Sequence, residues 1–108
     1  LPRPLDNSNP SWFGFLITCK EGVDRNKVVP YIEAHGVQTR MLFAGNLIKH
    51  PGCDQMRASG KGYRVIGDLS VTDRVMNNTF WVGVYPGMTD EMLEAMANAI
   101  KDAVHGVK

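Results

Sequence analysis

What this sequence has little of narrows its chemistry first. Among 108 residues there are two cysteines, Cys19 and Cys53, without CxxC spacing, and three scattered histidines, His35, His50 and His105. Two thiols make at most one disulfide and nothing marks a secreted framework, so reduced thiols in a cytoplasmic setting are the expectation. No HExxH or other ligand pair occurs, so no metal site is expected in this segment. Charge of one sign is scarce too: 12 Lys and Arg against 11 Asp and Glu leave a net +1. That balance supplies no basic face for a phosphate backbone and argues against a nucleic-acid module. No apolar run approaches the roughly 18 residues of a membrane span, and no secretory-type leader opens the chain. Hydrophobic residues at 44% and charged residues at 21% fit one compact domain rather than a disordered chain.

Residues 1–11, LPRPLDNSNPS, are rich in proline and turn formers and read as an extended linker. The chain starts at Leu1 rather than Met, and the expectation is a piece of something longer. Trp12–Thr18 (WFGFLIT) reads as a buried strand. A first helix runs to His35 and stops at Gly36; Pro30, harmless only in a first turn, moves its expected start from Asp24 to near Asn26. Val37–Phe43 predicts a second strand, with Val37, Thr39 and Met41 on one face and Gln38, Arg40 and Leu42 on the other. Ala44–Gly62 follows as a loop of weak helical content, its PGCDQMRASGKG stretch reading as a mobile insertion. Tyr63–Ile66 is a short strand candidate. Ser70 and Asp73 form a capping-box pair opening a short helix through Asn77. Thr79–Val84 predicts another strand, ended by Pro86-Gly87. Thr89 caps a last helix whose buried stripe is Leu93, Met96, Ala97, Ile100, Ala103 and Val104, closed by His105-Gly106. The expected fold class is α/β (or α+β): about three strands in a small sheet packed against helices.

Composition and spacing alone mark no active site. Gly60-Lys61 fails as a phosphate loop, because Gln55 stands where the earlier glycine belongs and Gly62 where Ser or Thr would hold magnesium. Two arginines stand out. Arg40 lies mid-strand in an otherwise uncharged stretch, so its guanidinium either reaches the strand's end or needs a buried anion, a structural acid or a ligand. Arg74 is expected in the first turn of its helix, where the dipole disfavours a cation; either it is solvated, or it meets an anionic ligand with that helix end. The aromatics of the strands read mainly as core, yet alternation sets Trp12 opposite Phe13 and Phe15, so at least one points outward. The six methionines read as gap fillers.

The strings SWFGF at 11–15, TRMLFAGNL at 39–47 and YRVIGDLSVTDRVMNNTFWVGVYPGMTDEML at 63–93 occur together. In this combination the chain resembles the C-terminal end of the DegT/DnrJ/EryC1/StrS sugar aminotransferase-like family, and within it the CDP-4-keto-6-deoxyglucose 3-dehydrases of O-antigen synthesis. The resemblance covers about residue 10 to residue 104. It implies that 12–108 is the small C-terminal domain of a fold-type I vitamin B6 enzyme, with the large cofactor-binding domain outside this chain. It implies pyridoxamine (or pyridoxal) phosphate and a 2Fe-2S cluster on that large domain, together with a histidine base; a Schiff-base lysine in its place would mark a sugar 4-aminotransferase instead. The implied partners are a nucleotide-sugar substrate, a second subunit in a homodimer and a flavin/iron-sulfur reductase. Carried over by motif, Arg74 of TDR contacts substrate, Phe13 of SWFGF lines the pocket, and Arg40 and Asn46 of TRMLFAGN follow. No catalytic, cofactor or metal residue is expected in this segment, and the segment alone is expected to be inactive. Leu16 stands where related FGFP-type sequences carry proline. A free-standing non-catalytic α/β binding domain is the alternative that owes nothing to the resemblance.

Overall fold

The computed structural model describes residues 1–106. Three strands form one antiparallel sheet: β1 (Gly14–Thr18), β2 (Thr39–Met41) and, between them, β3 (Thr79–Gly83). Gly14 pairs with Gly83 and Thr18 with Thr79 on one side of β3; Thr39 pairs with Val82 and Met41 with Phe80 on the other. Helices α1 (Arg25–Ala34) and α4 (Asp90–Gly106) pack on one face, while α2 (Asp54–Ser59) and α3 (Ser70–Asn78) lie in the connection between β2 and β3. The α/β fold class read from the sequence is the one observed. No helix among the described residues is long and apolar enough to cross a membrane.

Side-chain alternation decides what each face holds. Phe80 and Val82 of β3 point with Phe15 and Ile17 of β1 into a core completed by Val28, Val29 and Ile32 of α1 and Ala103 of α4. The small Ala99 and Ala103 are the buried residues of α4, and Met96, Ile100 and Val104 pack beside them half-buried or better, whereas Leu93 is exposed. The opposite face carries Gly14, Leu16, Trp81, Gly83 and Arg40, the register partners between those core positions. The Trp81 indole lies over Gly14, where a Cβ would sit 2.3 Å from its ring, and its Nε1 donates to Met41 O at 3.3 Å.

Several boundaries differ from the sequence reading. The first strand starts at Gly14, leaving Trp12 and Phe13 outside the ladder. Helix α1 starts at Arg25, one residue before Asn26, where the Asp24 carboxylate accepts from Asn26 N and fixes the first turn; Pro30 falls inside the helix. Gly36, at φ 81°, makes the left-handed stop expected there. The second strand keeps only Thr39–Met41 of the expected Val37–Phe43. Phe43 takes φ 49° and its N–H turns back onto Met41 O, which ends the ladder. The 44–62 connection is more helical than expected, with 3-10 turns at Leu47–Lys49 and Pro51–Cys53 before α2, which Gly60 closes in a left-handed conformation. Tyr63–Ile66 forms no strand, since no edge lies beside it to complete a ladder. The Ser70–Asp73 capping box does not form either: Ser70 is already helical, its N–H is taken by Asp68 Oδ1 at 2.9 Å, and Asp73 is engaged elsewhere. Thr89 does cap α4, its Oγ1 accepting from Met92 N at 3.3 Å.

Phe80 is fully buried at the centre of the core. Phe80→Ala is expected to lower the unfolding free energy by about 3–5 kcal/mol. Gly14→Ala, which drives a methyl into the indole, is expected to lower it by about 1–3 kcal/mol. Urea denaturation followed by circular dichroism measures both.

Candidate functional site

The uncovered sheet face and the start of the β2–β3 connection make one continuous apolar surface. Trp12, Phe13, Leu16, Leu42, Phe43 and Trp81 line a shallow groove of about 170 Å³. Phe13 is 78% exposed and Phe43 82% exposed. The Phe13 ring lies 5.2 Å from the Trp81 ring, tilted by 46°. Leu42 and Phe43 also border a second groove, of about 390 Å³, whose far wall is Leu47 with Val71, Thr72 and Val75 of α3. A positive φ at a bulky aromatic is strained backbone, and here it holds the Phe43 ring out in solvent at the junction of the two grooves. Trp12, Phe13 and Phe43 are exposed, with the half-buried Trp81 among them, an apolar patch of the kind found at interaction surfaces.

The four sequence-predicted site residues fall into two pairs around this surface. Phe13 packs on one side of Trp81, and Arg40, the register partner of Trp81 on β2, stands on the other. Arg40 borders a groove of about 500 Å³ with His35, Val37, Tyr85, Met88 and Met92 at the margin of the sheet. The sequence reading had the Arg40 guanidinium either reaching the strand's end or meeting a buried anion, a structural acid or a ligand. It is exposed, because β2 is an edge strand and its outward face is uncovered. Its Nη1 donates to Thr39 O at 3.2 Å, and in the amide orientation that matches donor to acceptor Gln38 accepts two 3.1 Å bonds from it.

Arg74 and Asn46 make the second pair. Arg74 is exposed on α3, one turn beyond Val71 and next to Val75 of the second groove. It is the fifth residue of its helix and so lies past the first turn in which it was expected. The two ion pairs among the described residues, Lys49–Asp73 and Arg57–Asp54, leave both Arg74 and Arg40 without an acidic partner. Asn46, by contrast, is only 3% exposed. Its Nδ2 donates to Asp73 Oδ1 at 2.8 Å and its Oδ1 accepts from Ile48 N at 3.2 Å, so both ends of the amide are engaged within the fold. Gly45 before it needs φ +65°, and a Cβ there would come within 2.5 Å of Met76. The backbone thus passes tightly under α3 and delivers Asn46 to the residue preceding Arg74.

Asp73 is the electrostatic knot of this region. Lys49 Nζ approaches its Oδ2 at 2.7 Å. Hydrogen bonds from Lys49 and then Asn46 hold its carboxyl below the ordinary carboxylate range. The Cys19 thiol is pushed up by burial in the core, an environment for an inert thiol rather than a thiolate ligand. Cys53 is half-buried near α2, and no group of three or more His, Cys, Asp or Glu side chains that could hold a metal occurs among the described residues. These residues do not fit an iron–sulfur cluster. The positions the sequence reading missed are Trp81 and Phe43 as surface rather than core; the small Gly14 and Gly83 flanking the Trp81 face were the available signal.

Residues 2–101 match the DegT/DnrJ/EryC1/StrS aminotransferase family. The chain is 45% identical over 104 residues to the lipopolysaccharide biosynthesis protein RfbH of Salmonella typhimurium, covering 94% of this chain and 23% of that protein. It is 42% identical over 106 residues to a dTDP-4-dehydro-2,6-dideoxy-D-glucose 3-dehydratase of Saccharopolyspora spinosa, covering 96% of this chain and 22% of that protein. The chain therefore spans less than a quarter of the length of these relatives.

The Asp73 contacts predict an acid-sensitive anchor for α3. A carboxyl whose folded pKa is depressed contributes stability above its unfolded pKa, about 4, and loses it as pH falls through the folded value. Asp73→Asn is expected to flatten the fall in stability between neutral pH and the acid side of that range. Stability measured by urea at successive pH values checks this; an unchanged acid limb would show that Asp73 carries no part of it.

Proposed function

We propose, from the premise that this chain belongs to the DegT/DnrJ/EryC1/StrS aminotransferase family, that residues 12–108 are the small substrate-covering domain of a nucleotide-sugar 3-dehydrase. The observation that carries this reading is the uncovered aromatic face, with Arg40 opposite Trp81 in the ladder and Arg74 exposed on α3, both without acidic partners. A nucleoside diphosphate sugar offers what such a surface lacks: two phosphate charges for guanidinium groups and flat or apolar rings for aromatics. Arg74 is the residue assigned to the anionic part of the substrate. Phe13 lines the pocket beside Trp81, and Arg40 stands at the opposite side of the same indole. Asn46 contributes from below, through Asp73.

The reaction assigned to the whole protein is loss of the 3-hydroxyl from a CDP-linked 4-keto-6-deoxy sugar, on the way to a dideoxy sugar of the O-antigen. Support comes from the 39–47 and 63–93 motifs and from the names borne by the two relatives. In this reading the pyridoxamine phosphate and the 2Fe-2S cluster belong with parts of the protein outside this chain, a separate flavin/iron-sulfur reductase donates the electrons, and the functional unit is a homodimer. The same aromatic face, with Leu42 and Phe43 at its centre, is the surface that the larger domain covers. A sugar 4-aminotransferase of the same family would present a similar face; the 42% identity to a protein named as a 3-dehydratase favours dehydration.

In the full-length protein, Arg74→Ala is expected to lower kcat/KM for CDP-4-keto-6-deoxyglucose by roughly 5- to 150-fold, about 1–3 kcal/mol. Steady-state kinetics against that sugar and its dTDP counterpart provide the measurement. An unchanged kcat/KM with both would remove Arg74 from the site.

A further inference from the structure

Helix α3 carries Arg74 but has little holding it by burial. It is nine residues long and none of its residues is fully buried. A helix that short is not stable on its own, and its last carbonyls need partners from outside. Val75 O receives the N–H of Thr79, and Asn78 O receives that of Cys19 at 2.9 Å. Met76 O receives Arg25 Nη1 at 2.6 Å. The same Nη1 lies 3.4 Å from Thr79 O, and Nη2 donates to Asn26 Oδ1 at 3.1 Å.

The placement of Arg25 is not explained by its own helix. It is the first residue of α1, where the helix dipole disfavours a cation. It reaches instead to the C-terminal end of α3, where the dipole favours one. Its Nε is buried without a hydrogen-bond partner, a destabilising feature that a solvated arginine at the start of a helix would avoid. The side chain therefore threads into the junction where β1 ends, α3 ends and β3 begins.

We propose that Arg25 is a positioning residue: by holding the Met76 carbonyl it fixes the pitch of α3 and with it the direction of the Arg74 side chain toward the substrate. This rests on the assignment of Arg74 made above. Met76 lies two residues from Arg74, and its own side chain is seated over Gly45, with the Asn46 N–H 3.3 Å from its sulfur. Asn46 and Lys49 tether the N-terminal half of α3 through Asp73. Arg25 is the matching tether at the other end. Without it the helix remains attached but pivots about Asp73.

The test uses full-length protein carrying Arg25→Ala, Arg25→Lys, Arg74→Ala and the Arg25→Ala/Arg74→Ala pair. Arg25→Ala is expected to raise KM for the nucleotide sugar roughly 5- to 20-fold with kcat within about twofold. In the Arg74→Ala background the same change is expected to move KM by less than about twofold, because the effect runs through Arg74. Arg25→Lys, which keeps a charged donor for Met76 O, is expected to recover most of the lost KM. Hydrogen exchange is expected to quicken at the amides of residues 74–79 and to stay unchanged in β1 and α4. Equal KM effects in both backgrounds, or faster exchange throughout the sheet and α4, would overturn the proposal in favour of a general structural role. If Arg25→Ala does not fold, Arg25→Met, which keeps an aliphatic stem but no donor for Met76 O, is read in the same cycle, and unaltered exchange at 74–79 together with unaltered KM overturns it. If Arg74→Ala itself leaves kinetics untouched, the substrate assignment fails, while exchange at 74–79 still decides whether Arg25 sets the helix.

Discussion

The middle strand of a sheet covered on only one side sets the terms for everything else in this chain. Strand β3 is paired on both edges, so neither its register nor its orientation is free. Its alternation then has to send Phe80 and Val82 to the helices and Trp81 to the side with no helical layer. A one-residue slip would exchange the two sets and bury the indole while exposing the core. The Trp81 ring is held where it lies by a glycine below it and a carbonyl at its edge. Phe13 and Arg40 owe their places to that ring, one packed on it and the other opposite it in the ladder.

Helix α3 obeys a different physics. The core fixes α1 and α4 through fully buried Val28, Ile32 and Ala103, whereas α3 is located by directional polar contacts at its two ends. Hydrogen bonds specify angle more sharply than apolar contact does, but they leave a segment that opens more readily than the core. The chain entering it departs from ordinary backbone: Leu69, just before the helix, has φ 56°, and Phe43, across the groove from it, has φ 49°. Two left-handed bulky residues beside a weakly buried helix store local strain.

Much of the fold was legible because its signals are local. Gly36 stopping α1 and Thr89 capping α4 depend on a residue and its neighbours within one turn. The apolar strings around Phe15 and Phe80 announce buried strands whatever they pair with. Misreadings occurred where an outcome depends on partners distant in sequence. Tyr63–Ile66 has strand-like residues but no neighbouring edge. Ser70 has the chemistry of a cap, yet Asp68 reaches its N–H first. Arg40 was expected to reach the strand's end or find an anion because its neighbours are uncharged, and the edge position of β2 with no second layer is what leaves it exposed. Asn46 and Asp73, 27 residues apart, meet through the left-handed turn at Gly45, and no spacing rule foretells such a contact. The site was therefore visible as residue types and a family resemblance, while the division of labour within it was not.

In the proposed reading, that division also bears on how this surface recognises a nucleotide sugar. Arg40 stands opposite Trp81 in the ladder and Arg74 is exposed on α3 next to Val75 of the second groove, and neither has an acid to neutralise it. Two exposed cations separated by apolar surface gain little from each other and more from one anionic molecule that spans both flat and charged regions. Solvent screens such cations as long as the face is open. Covering the face removes water from around the guanidinium groups and strengthens their pull on phosphate, so attraction and enclosure reinforce each other. The tethers at the two ends of α3 matter for the same reason: a guanidinium that has to be reoriented on closure loses part of what desolvation gives, and one already aimed does not.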